Sequence, residues 1–261
     1  MGRFEHLEMG DQEPEKPKVS PEYSGVIDQH YYLSMADEAF AEDDYEKALA
    51  FYSRTLQYDI TMEEGWFGQL RCLIELGELP EALTWSNRAL EKFPKSASIL
   101  SARAVAEARS GRFGAAIGYS DSAFSSQGVG AYSWIARGEV LLLTSEVNSK
   151  ACFAKAIEIS SSEWSIRFWI ARAYIIRKCY HQALEHLNQA VKLDSGRFTC
   201  WYWIGKCSEA LGQIDEAKIA YRRALAAKPS YIKAQDALRS IEERGPMSKL
   251  MSAIRRLFGA R

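Results

Sequence analysis

The 261-residue sequence has no apolar run long enough to span a membrane as a helix, so no membrane-spanning helix is expected. Its first residues, MGRFEHLEMGDQEPEK, are acidic where a secretory leader would be basic and then apolar, so a cytoplasmic location is expected. The five cysteines, Cys72, Cys152, Cys179, Cys200 and Cys207, are odd in number, contain no C-x-x-C pair and sit in helical patterns. They are expected to be buried reduced thiols, with no metal and no disulfide.

Catalytic signatures are missing as well. The sequence contains no phosphate-binding loop and no nucleophile elbow. The glycines of GRFGAAIG, Gly111 to Gly118, follow a helical pattern and open another, which marks an inter-helix turn and not a nucleotide site. His181 and His186 are five residues apart and miss the one-turn spacing of a helical metal pair, while His6 and His30 are isolated. Asp43 and Asp44 fall in a predicted turn, where solvated surface is the ordinary reading. The expectation is a chain that is not an enzyme and holds no cofactor and no metal.

Charge is divided along the chain. Residues 1–163 carry 15 Lys/Arg against 26 Asp/Glu, a net of −11, and residues 164–261 carry 18 against 8, a net of +10. Most of these charges are expected to be solvated surface. The division also suits a carboxyl-terminal half that faces an acidic partner, an anionic membrane or the acidic half of a second copy.

What is present is a repeat. In the stretch from Phe198 to Tyr231, Trp201, Gly205, Leu211, Gly212, Ala217, Tyr221, Ala224, Leu225 and Pro229 form a helix, a turn and a second helix. Trp201 and Gly205 are one turn apart, so a bulky ring fills a groove while the missing side chain admits the neighbouring helix. Gly212 suits a left-handed helix end, Ala217 and Ala224 allow close packing two turns apart, and Pro229 stops the second helix. Ala48, Ala82 and Ala116 recur at intervals of 34 residues, as do Ala183 and Ala217. This pattern resembles the tetratricopeptide repeat.

That resemblance implies an all-α fold: a right-handed α-solenoid of six helical hairpins at 29–62, 63–96, 97–130, 131–163, 164–197 and 198–231. An array of this kind is expected to form one elongated unit. The second repeat shows Trp66, Gly77, Ala82, Ala89 and Pro94, with Ser96 placed to cap the next helix, but departs at Leu70, where a small residue belongs. The third ends in SSQGVG, Ser125 to Gly130, where a bend or mobile joint is expected. The fourth, opened by Trp134 and Gly138, is one residue short, and Ser149 takes its alanine position.

Flanking segments complete the organisation. Residues 1–27, with Pro14, Pro17 and Pro21 among polar residues, are expected to be a flexible arm in which Phe4, Leu7 and Met9 stand out. Residues 232–244 are expected to cap the last repeat through Ile232, Ala234, Ala237, Leu238 and Ile241. In 246–261, Met247, Leu250, Met251, Ile254, Leu257 and Phe258 make an apolar stripe beside Lys249, Arg255, Arg256 and Arg261, the pattern of a basic amphipathic helix. Such a helix has to be covered, by the solenoid, by a partner or by a membrane surface.

The resemblance further implies a concave groove lined by the first helix of each repeat. Its groove positions here include Phe67, Arg71, Ile135, Glu139, Phe168, Trp169, Arg172, Tyr202, Trp203 and Lys206. The first three repeats offer Leu33, Asp37, Gly68, Ser98 and Ala102 where one subset of the family clamps the terminal carboxylate of chaperone tails, so that mode is disfavoured. The expected function is a non-enzymatic scaffold or adaptor for protein–protein interaction. It would hold an acidic, apolar-anchored segment of a protein or peptide against Phe168, Trp169, Arg172, Tyr202, Trp203 and Lys206, and no nucleic acid. The alternatives are a peripheral membrane adaptor anchored through 246–261 and a scaffold that self-associates.

Overall fold

A computed structural model describes residues 27–142 and 145–243. Twelve helices pair as hairpins: α1 (Gln29–Ala41) with α2 (Tyr45–Tyr58), α3 (Glu63–Leu76) with α4 (Leu79–Lys92), α5 (Ala97–Arg109) with α6 (Phe113–Phe124), α7 (Ala131–Leu141) with α8 (Glu146–Ile159), α9 (Trp164–Ile176) with α10 (Tyr180–Leu193), and α11 (Phe198–Ala210) with α12 (Ile214–Ala227). A further helix, α13, covers 232–243. The fold class is an all-α solenoid of helical hairpins. Its helices form two compact units, divided in sequence between Ile159 and Ser160.

The alanine frame lies at the centre of the hairpins. Ala48, Ala82, Ala116, Ala183 and Ala217 are all completely buried, because only a methyl group fits where paired helices come closest. Glycine allows a still closer approach. A Cβ placed on Gly205 would lie 2.4 Å from the ring of Tyr221, and one on Gly138 would lie 2.3 Å from that of Phe153. Gly77 and Gly212 take φ of 81° and 76° after α3 and α11, the left-handed ends expected for Gly212 on sequence grounds. Ser96 caps α5 by accepting from the Ile99 amide at 3.1 Å, and itself donates to Glu63 at 2.6 Å.

Unit one, through Ile159, adjusts the repeat where the sequence departs from it. Leu70 occupies the small-residue position and is 1% exposed, and the residue that should then be a large aromatic is Ser86. The exchange of sizes leaves space beside Ser86 that Arg103 of the next hairpin enters. Arg103 donates to Ser86 Oγ at 2.8 Å, to Asn87 Oδ1 at 2.6 Å and to the Leu83 carbonyl at 2.8 Å. Exactly one repeat later Arg137 donates to Ser120 Oγ at 3.2 Å and to Asp121 at 2.8 Å. The SSQGVG loop, expected to be a loose joint, is tied by an isolated bridge between Ser96 and Gln127. Asp43, read as solvated, is 2% exposed in a left-handed turn, and Asp44 caps α2 by accepting from the Lys47 amide.

Unit two, from Ser160, is closed by α13. Ile241, Ala237 and Leu238 pack on Ala217, Tyr221 and Tyr202, and Ala234 joins Tyr231 and Ala224. The expectation for the 1–27 arm and for the 246–261 stripe, with Met247, Leu250, Met251, Ile254, Leu257 and Phe258, concerns positions that lie outside the described residues except for Ile27.

Candidate partner-binding surface

The sequence-predicted groove residues separate into three groups. Phe168 and Ile135 are each 4% exposed and belong to the core. Tyr202 is half-buried against Tyr221 and Tyr231, with ring centroids 5.9 and 5.4 Å away, and packs with the α13 contacts. This ring helps to seat α13. Trp169 and Trp203, each one residue further along its helix, are half-buried like Tyr202, and the Trp203 Nε1 atom is buried without a hydrogen-bond partner. A step of one residue turns a helix by about 100°, which is enough to move a side chain from the core toward the surface.

Arg172 contacts one of these two tryptophans in an unexpected way. It is 7% exposed, and its guanidinium lies 3.9 Å from the centroid of the Trp203 ring. Its position on an aromatic face follows from the ring quadrupole, which attracts a flat, weakly hydrated cation. The sequence suggested that Arg172 would project beside Lys206 as a second accessible charge. The structure instead buries Arg172 and leaves Lys206 43% exposed, 3.8 Å from Glu209. Glu209 also accepts from the Tyr221 hydroxyl at 3.0 Å, and burial together with that carboxylate pushes the phenol well above its ordinary range. Burial pushes the Cys207 thiol, near Arg172, up to about 12, consistent with an inert reduced cysteine.

The equivalent residues of unit one are engaged with one another. Arg71 has its guanidinium 4.2 Å from the Phe40 ring, 5.4 Å from Phe67 and 5.1 Å from Tyr132. Phe67 meets Tyr132 edge-on at 4.8 Å, although the two belong to hairpins separated by the slender helix α5. Serine and alanine dominate α5, and its Ser101 and Val105 are buried, which lets α3 and α7 reach across it. Burial raises the Tyr132 hydroxyl to about 12. Beside this cluster Arg109 makes a two-pronged pair with Glu139, at 2.7 and 3.2 Å, and a third contact with Glu75 at 2.9 Å. Phe67 and Arg71 are thus held by their own chain.

Sequence reasoning missed Arg103, Arg109 and Tyr132. The 34-residue recurrence of Ser86, Asn87 and Arg103 as Ser120, Asp121 and Arg137 was a signal that could have found the first. Among the described residues, no group of three or more His, Cys, Asp or Glu side chains could hold a metal ion. No helix there is long and apolar enough to cross a membrane.

A tetratricopeptide repeat profile matches residues 39–106, and a profile of the anaphase-promoting complex, cyclosome, subunit 3 matches residues 148–224. The chain thus carries tetratricopeptide repeats. Superkiller complex protein 3 of Mus musculus is 31% identical over 86 residues, covering 33% of this chain. The chain spans only 6% of that relative's length. Among solved structures, the Cut9–Hcn1 hetero-tetramer of the anaphase-promoting complex superposes with a TM-score of 0.50 at 17% identity, covering 82% of this chain and 43% of that one. Human IFIT1, solved as a dimer with PPP-AAAA, gives 0.55 at 15% identity over 78% of this chain and 51% of its own. At these identities the structures speak to the fold alone. As a tetratricopeptide repeat protein the chain has the fold of protein-interaction scaffolds in general.

Proposed function

We propose that this tetratricopeptide repeat chain is a non-enzymatic adaptor whose second unit holds an extended or helical segment of another protein, one that carries apolar anchors beside acidic groups. The observation that carries this reading is the platform of Trp169, Arg172 and Trp203. Two half-buried indoles stand at equivalent places one repeat apart, and a buried guanidinium supports one of them. Rigid aromatic surface of this kind is what interface hot spots use, since an indole supplies much contact area at little entropic cost. Lys206 supplies the accessible charge at this edge, and the +10 balance of 164–261 favours the approach of an acidic ligand.

A test is selection of displayed peptides on the intact chain, followed by affinity measurement with Trp169→Ala, Trp203→Ala and Lys206→Glu. The expected peptides combine Asp or Glu with Trp, Phe or Leu. Each tryptophan variant should weaken them at least tenfold, and Lys206→Glu should slow association and reduce its salt dependence. Selected peptides without acidic residues, or peptides that bind all three variants like the parent, would overturn the assignment.

A further inference from the structure

We infer that helix α4 carries a separate pocket that accepts a single lysine side chain from a partner protein. A cavity of about 90 Å³ is lined by Pro80, Glu81, Thr84, Trp85 and Arg88. That volume is well above the roughly 10–15 Å³ a single water requires, and suits the end of a long side chain. Glu81 is 6% exposed and its Oε2 atom accepts no hydrogen bond. A desolvated carboxylate oxygen without a donor is costly, and the amino-terminal turn of α4 offsets that cost only in part.

The burial is particular to this repeat. One repeat earlier and later the same position holds Lys47 and Ala115, both exposed; Gln182 in the fifth is half-buried and Glu216 in the sixth is exposed. At these four positions of the chain the side chain therefore meets more solvent than Glu81 does.

The chemistry of the lining selects the ligand. Thr84 spends its hydroxyl hydrogen on the Pro80 carbonyl at 3.0 Å, so its oxygen can only accept from a ligand. Glu81 Oε2 is likewise an acceptor. Trp85, 2% exposed, provides an apolar wall, and its ring face already carries the Arg88 guanidinium at 4.6 Å. Arg88 is itself exposed and is a cation among the lining residues, held on the Trp85 face. Two acceptors and an indole wall call for a group with several donors on an aliphatic stem, which describes a primary ammonium. The net charge of −11 over residues 1–163 favours a basic partner at this unit, the opposite of the partner chemistry proposed for unit two.

The test uses the full chain labelled with nitrogen-15, following the Trp85 indole N–H signal assigned by its loss in Trp85→Phe. The probe is Nα-acetyl-lysine N-methylamide, compared with its norleucine and Nε-acetyl-lysine counterparts. The lysine probe should shift the signal saturably. The two neutral probes should bind at least tenfold more weakly, as should the lysine probe with Glu81→Gln, and Thr84→Val should weaken it about threefold. An absent shift, an equal response to norleucine, or unchanged affinity in Glu81→Gln would overturn the inference. If Glu81→Gln does not fold, the comparison of the three probes on the unaltered chain decides it.

Discussion

Arg103 and Arg137 stand 34 residues apart and perform the same act, each inserting a guanidinium beside a buried serine of the preceding hairpin, Ser86 and Ser120. Their surroundings differ. Arg103 is 9% exposed and also bonds Glu107, which Arg112 grips from the other side. Burial alone would raise the Glu107 carboxyl, but the bonds from Arg112 and Arg103 outweigh it and hold the group below its ordinary value. Arg137 and its partner Asp121 are partly solvated.

Arg103→Met should therefore destabilise unit one by about 3 kcal/mol, because Glu107 and Ser86 lose their shared donor inside the protein. Arg137→Met should cost under about 1 kcal/mol. Denaturant titration of both variants checks the ratio, and equal losses would remove the distinction between the two seams.

Close approach at glycine gives a second expectation. Gly138→Ala and Gly205→Ala should each cost about 1–3 kcal/mol, since the new methyl would strike an aromatic ring held in the core. Gly114→Ala meets open space on α6 and should stabilise by up to about 1 kcal/mol through helix propensity. Melting temperatures that do not diverge in this way would argue against the helix spacing.

Neighbouring aromatic residues should respond oppositely. Tyr202→Ala removes a ring that joins α11, Tyr221 and Tyr231, and is expected to lower the stability of unit two by about 3 kcal/mol. Trp169→Ala should cost far less stability and act on partner affinity. Thermal unfolding and peptide binding, measured on the same two variants, separate the roles.

His186 supplies a pH dependence. Its ring stacks on Tyr174 at 5.6 Å, and burial, helped by Arg167, lowers its pKa from 6.5 to about 4. The folded state disfavours the proton that the unfolded chain readily takes. Stability from this site is thus complete above pH 6.5 and falls as pH drops from 6.5 to about 4, by on the order of 1–3 kcal/mol. His186→Phe should flatten the stability profile in that window, and an unaltered slope would place the titration elsewhere.

Much of the fold was legible because packing leaves a periodic trace. Ala48, Ala82, Ala116, Ala183 and Ala217 had to be small, and the chain shows the first three, and again the last two, at a spacing of 34 residues. Leu70 was recognised as a departure, but its compensation at Ser86 was not, because one sequence position does not reveal which residue faces it. The groove was harder to read for the same reason. Phe168 and Trp169, or Tyr202 and Trp203, are interchangeable to a pattern of residue types, and only the helix rotation decides which ring is core. Arg172 and Arg71 read as surface charge because a sequence does not show that an aromatic face lies against them.

The exchange of Leu70 and Ser86 for the usual small and large residues makes the hairpins non-interchangeable parts. Grafting the sixth hairpin into the second place would bring Gly205 and Tyr221 with it, and the phenol ring would fill the seat Arg103 needs. Arg103 and Glu107 would then lose their register with the preceding hairpin. Each repeat thus carries an address in its size pattern, and the order of repeats along unit one is written into the seams themselves.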